Sequence, residues 1–128
     1  MLARHLPAEH DDKHMTDNAL RPLEQLERTI LDRQAAPSEN SYTSQLLAGG
    51  VEKIGGKIIE EAFECIEAAG DPEAGGREHT IYEAGDLMYH LMVLLAVRNI
   101  RFSEVENELA RRFGVSGIEE KASREEKS

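Results

Sequence analysis

The chain of 128 residues has a single cysteine, Cys65, so no disulfide forms within it. That usage fits a reducing compartment. Positive charge is scarce: 15 Lys and Arg stand against 25 Asp and Glu, for a formal charge of −10. Such a balance disfavours attraction over the whole surface to nucleic acid or to an anionic membrane, and neither is expected as a partner. Long apolar runs are missing as well. The longest, Leu91 to Val97, falls far short of the ~20 residues that span a bilayer. His5, His10, Asp11, Asp12, Lys13 and His14 lie where a secretory signal would carry its apolar stretch. A cytoplasmic protein is expected. No segment alternates apolar with polar residues as a half-buried strand does, which leaves an all-α fold.

One domain accounts for the length. Residues 1–18 lack periodicity and mix charge with His and Pro, which predicts a flexible extension outside the fold. His5, His10 and His14, spaced by five and four in such an arm, suggest only adventitious metal binding. From Pro22, the spacing of Leu23, Leu26, Ile30 and Leu31 predicts an amphipathic helix ending before Pro37. Tyr42 to Leu47 predicts a short helix stopped by Gly49-Gly50. The next runs from about Val51 to Ala69, with Ile54, Ile58, Ala62, Cys65 and Ala69 on its apolar face. Glu73 to Arg77 reads as a loop and Glu78 to Arg98 as a further helix. After a turn at Asn99 to Phe102, Ser103 and Glu106 form an S-x-x-E capping box opening a last helix that stops at Gly114. Short connections favour an antiparallel helical bundle. A domain this small buries a modest core, which suggests completion by dimerisation.

Chemistry is concentrated on two of these helices. Glu64 shares a helix face with both Glu60 and Glu61, which crowds like charge. Glu61 borders the apolar face and is placed near the seam between helices; taken alone, the cluster also fits a solvated acidic face. Ile81 to Val97 is apolar on nearly all sides except for a stripe of Glu83, Asp86 and His90, so that helix should be mostly buried. Buried carboxylates need cations, protons or metal, and residues 78–97 contain no Lys or Arg. A divalent ion held between facing helices relieves both crowded groups. Oxygen ligands alone select a hard ion, Mg²⁺ with Mn²⁺ as a substitute. The chemistry then expected is cation-assisted attack of water on a phosphoryl group. His90 either tunes this site or is a hydrogen-bonded core residue. Lys53 and Lys57, four apart, either reach a polyphosphate or pair with Glu60 and Glu61. Cys65 has no indicated base and reads as core.

The arrangement Glu60-Glu61-x-x-Glu64 followed by Glu83-x-x-Asp86 resembles the metal-binding signature of the all-helical, MazG-type nucleotide pyrophosphohydrolases. Further segments are similar to one family among them, the phosphoribosyl-ATP pyrophosphatases. These are Ser41-Tyr42-Thr43-Ser44, Lys53-Ile54, Glu60-Glu61-Ala62, Asp86-Leu87-Met88-Tyr89-His90 and the ending Ser116-Gly117-Ile118-Glu119-Glu120-Lys121-Ala122-Ser123-Arg124. The resemblance covers about Leu23 to Arg124 and implies a catalytic domain over residues 19–124 with a tail at 125–128. It implies Mg²⁺-dependent hydrolysis of phosphoribosyl-ATP to phosphoribosyl-AMP and pyrophosphate, the second step of histidine biosynthesis. By the same carry-over Glu61, Glu64, Glu83 and Asp86 are the metal ligands and Glu60, Glu61 and Glu64 the catalytic group. Lys53, Lys57, His90, Arg112, Lys121 and Arg124 are candidates for holding the substrate, and at least a homodimer is implied. No fused cyclohydrolase domain is expected.

The sequence departs from that family where Gly55-Gly56 replaces a bulky residue and a second Lys, where Ile59 replaces a Gly, and in its amino-terminal extension. Two rivals remain. A house-cleaning pyrophosphohydrolase acting on free nucleoside triphosphates would use the same metal site but not the terminal motifs. A non-catalytic helical module binding Mg²⁺ or a basic partner leaves unexplained why carboxylates sit on an otherwise apolar helix.

Overall fold

A computed structural model describes residues 20–113 and 124–125. The extension over residues 1–18, the expected stop at Gly114 and Lys121 lie outside them. Among the described residues four helices follow one another: α1 Pro22–Ala35, α2 Tyr42–Ala69, α3 Ala74–Val97 and α4 Phe102–Arg112. Among the described residues there is no strand, so the fold is all-α.

Each helix starts where a side chain takes up free backbone donors. Pro22 occupies the first turn of α1, where its missing N–H costs nothing. The Arg21 N–H donates to Glu24 Oε1 at 2.8 Å. The Ser41 hydroxyl accepts from the Ser44 N–H at the head of α2. The last helix begins two residues earlier than the S-x-x-E motif predicts. Arg101 caps α4, its N–H donating to Glu104 Oε2 at 3.0 Å, and Ser103 lies inside the first turn. The cause is tertiary: Glu27 of α1 accepts from the Phe102 N–H at 2.6 Å and from the Arg101 guanidinium at 3.2 Å. Likewise α3 starts at Ala74, so most of the stretch read as a loop is helix. Gly76 permits this start. It is fully packed, and a Cβ there would come within 2.4 Å of the Asp71 carbonyl.

Helices α2 and α3 run antiparallel. Glu61 meets Glu83 and Asp86, and four residues on, Cys65 Sγ lies 4.0 Å from the Thr80 carbonyl. The expected break at Gly49-Gly50 is a kink within α2: Gly50 has φ 75° and ψ −167°, a conformation almost confined to glycine. In a straight helix Tyr42 would stand ~22 Å before Lys57. Instead Gly50 turns the first segment so that Tyr42 and Thr43 reach Tyr89 and His90, level with the stretch around Ile54. The core forms at this crossing, from Ile30, Leu46, Ile54, Tyr89, Met92 and Val93. Gln34 Nε2 of α1 donates to the Ala96 carbonyl and closes the third side.

The expectation that α3 is mostly buried holds for one side only. Ile81, Met88 and Leu91 are exposed, and so are Ile59, Phe63 and Ile66 of α2, at 73%, 60% and 70%. A sequence pattern reports that a helix has no polar side, but not whether its own chain covers it. Helix α3 is also long and apolar enough, by length and composition, to cross a membrane. It nevertheless carries the buried Glu83, Asp86 and His90 against α2.

Candidate metal centre

Helix periodicity assembles the site. Glu83 and Asp86 are three apart on α3 and face α2 together, opposite Glu61. All three are buried, at 5% for Glu61 and 2% each for Glu83 and Asp86. Each offers one carboxylate oxygen within 4.8 Å of the others. Glu61 Oε1, Glu83 Oε1 and Asp86 Oδ2 are buried and accept no hydrogen bond. Leaving ionised oxygens so is costly by several kcal/mol. The strain appears as proton affinity. Burial, then the adjacent Asp86, pushes the Glu61 carboxyl up to about 7. Burial also raises Asp86 to about 6, against a hydrogen bond from Glu61 that favours its ionised form. Without a cation the pair therefore holds a proton near neutrality. A divalent ion answers the same need better, because three converging anionic oxygens and no nitrogen or sulfur suit Mg²⁺. The donor set thus fits the ion expected from the sequence.

Around this trio the other candidates are distributed unevenly. Glu64 is exposed one turn beyond Glu61, its carboxyl raised by partial desolvation and by Glu83 beside it. Glu60 is exposed and receives Lys57 Nζ at 3.3 Å. Lys53 is exposed further back on α2. His90 is fully buried. Its Nδ1–H donates to the Asp86 carbonyl at 3.0 Å, and Nε2 accepts from the Tyr42 hydroxyl at 3.2 Å. This makes Tyr42 a neighbour of the site, with burial raising its hydroxyl pKa and Lys57, Glu60 and Glu61 within electrostatic reach. Thr43 and Tyr89 join hydroxyls beside it, and burial pushes Tyr89 up to about 12. Arg112 on α4 pairs with Glu108 at 3.0 Å and Arg111 does so at 2.7 Å, and Arg124 is exposed. Cys65 is half-buried.

Two neighbours escaped the sequence reading. Tyr42 sits 48 residues from His90, and no local spacing announces that pairing. His79 places Nε2 at 3.1 Å from Glu83 Oε2. Its signal was present, since His79 and Glu83 are four apart on one helix, but the predicted loop put His79 at a helix end.

The family described as phosphoribosyl-ATP pyrophosphohydrolase matches residues 23–113. The chain belongs to this family. Curated relatives agree over most of their length. The phosphoribosyl-ATP pyrophosphatase of Rhodopirellula baltica is 58% identical over 83% of this chain and 88% of its own. Those of Paracoccus denitrificans and Geotalea daltonii are 52% and 48% identical, each over 80% of this chain and 92% and 94% of theirs. The stretch matched to the family holds all five acidic candidates together with Lys53, Lys57, His90 and Arg112, whereas Lys121 and Arg124 lie beyond it.

Proposed function

We propose that this chain hydrolyses phosphoribosyl-ATP to phosphoribosyl-AMP and pyrophosphate, the second step of L-histidine biosynthesis, using Mg²⁺. Beyond membership of the family, the observation that carries this reading is the trio of buried carboxylate oxygens that lack any partner. Glu61, Glu83 and Asp86 would hold the ion, and Glu64, beside Glu83, supplies a fourth carboxylate. Bound there, Mg²⁺ or Mn²⁺ neutralises phosphate charge and makes water a better nucleophile. Water adds to the α-phosphorus, the bond to the bridging oxygen breaks, and pyrophosphate leaves.

The chain's own groups orient and neutralise. Glu64 lies at the open edge of the trio with a raised proton affinity, which suits it to take the proton released by water. Lys57 is one turn before Glu61 and exchanges its contact with Glu60 for a substrate phosphate. Lys53, Arg112, Lys121 and Arg124 are further candidates for the outer phosphates and the ribosyl phosphate. His90, with both ring nitrogens engaged, acts by holding Tyr42 at the rim. A second copy covers Ile59, Phe63 and Ile66, giving at least a homodimer. Net negative charge disfavours nucleic acid and anionic membranes as partners. An anionic substrate is held against it by the ion and by local Lys and Arg, and a cytoplasmic location belongs to the same reading.

The test is pyrophosphate release with Mg²⁺ from phosphoribosyl-ATP compared with ATP, dUTP and dCTP. Much faster release from phosphoribosyl-ATP is expected. Equal rates would point to a general nucleotide hydrolase, and no release from any of the four would leave a metal-binding module.

A further inference from the structure

Glu83 is tethered on one side only. His79, one turn earlier on α3, brings Nε2 to 3.1 Å from Glu83 Oε2, while Oε1 of the same carboxylate is buried without a hydrogen bond. The two side chains differ sharply in access to water: 56% for His79 and 3% for Glu83. The imidazole therefore lies over the outer edge of the carboxylate, between it and solvent. With the carboxylate as acceptor, the bond is made by the Nε2–H of His79.

Glutamate has three side-chain torsions, and here two neighbouring anions push its carboxylate away from the seam. The chain supplies little to oppose this from the same helix, since residues 78–97 contain no Lys or Arg. A donor one turn away on a rigid helix holds Oε2 at a fixed point and turns Oε1 inward. We propose that His79 is a positioning residue of the metal centre, its Nε2–H fixing the Glu83 carboxylate so that the trio is arranged for Mg²⁺ before the ion arrives. Partners of this kind, which touch the ligand and not the ion, commonly contribute 10–100-fold to metal affinity. A surface i, i+4 contact with no such role would contribute nothing to it. The inference rests on the trio being the Mg²⁺ site.

The experiment measures Mn²⁺ binding to the full chain without substrate, from the electron paramagnetic resonance signal of free Mn²⁺, and Mg²⁺ binding by competition. Wild type should bind, and Glu83→Gln should bind far more weakly. His79→Ala should weaken binding by about 10–100-fold. His79→Gln, which restores an N–H donor, should recover most of that loss. Both metal-free variants should keep wild-type helicity by circular dichroism, and recovery of affinity in His79→Gln separates loss of the donor from loss of the fold. Wild-type affinity in His79→Ala, or a His79→Gln variant as weak as His79→Ala, overturns the inference and leaves the centre standing. Absence of Mn²⁺ binding in wild type removes both.

Discussion

Carboxyl groups drawn into a dry seam repel one another until something neutralises them, and at Glu61 and Asp86 the choice is between a proton and a cation. Their folded-state proton affinities, about 7 against an ordinary 4.5 and about 6 against 3.8, give the direction of the pH dependence. The folded chain holds protons that the unfolded chain has released, so stability falls as pH rises. For the metal-free protein, Glu61's contribution is complete below about pH 4.5 and lost as pH rises through about 7. The melting temperature measured with chelator should decline over that interval. Mg²⁺ should reverse the decline, by ~2.7 kcal/mol at 100 times its dissociation constant, and should bind more tightly as pH increases because protons must leave first. Glu61→Gln or Asp86→Asn should lower turnover by at least about 100-fold with helicity by circular dichroism unchanged. Wild-type turnover in either variant would remove that residue from the site.

At this scale the acidic residues were legible because helix periodicity alone fixes which of them share a face. Burial of Glu83 and Asp86 was legible from the apolar residues around them on α3, and the need for a cation from the absence of Lys and Arg over residues 78–97. Distances across the seam and the contact of His90 with Tyr42 were not, since they depend on how the chain folds back upon itself.

Among the elements, α2 has the most to lose from one substitution. Gly50→Ala meets no steric obstacle, for nothing lies within 4 Å of the added Cβ. Its backbone, however, is in a region nearly closed to other residues. The cost should be about 1–3 kcal/mol, read from urea unfolding, and alanine's preference for helix should straighten α2 and draw Tyr42 from His90. The double glycine announced an interruption. What it did not announce was direction, because the destination of Tyr42 and Thr43 is set by partners on α3 far along the chain. The misplaced start of α4 has the same origin: a local S-x-x-E pattern was overridden by Glu27, an acceptor from another helix.

Taken whole, the molecule leaves Ile59, Phe63, Ile66 and Ile81 bare along the two helices that carry the centre. Water contact on that scale favours a second copy, in line with the small core implied by the chain's length. Phe63→Glu should convert a dimer or larger assembly into monomers by sedimentation velocity. A wild-type chain that is monomeric at micromolar concentration would remove the proposed oligomer. The small size of the domain made a partner expected, and the pattern of α3 could not distinguish a face covered by its own chain from one left exposed.

The hydroxyl pair Thr43–Tyr89 and the Tyr42–His90 bond clasp α3 at one end, while the carboxylates lie nearer the Gly70–Glu73 connection. The two ends of this hairpin are thus secured by different means. Neutral hydrogen bonds hold one, and the proposed ion would close the other. If Mg²⁺ is that ion, its removal should leave the chain latched at its aromatic end and loosened at the other, with faster amide exchange around Glu61 and Glu83 than in the Mg²⁺-loaded protein.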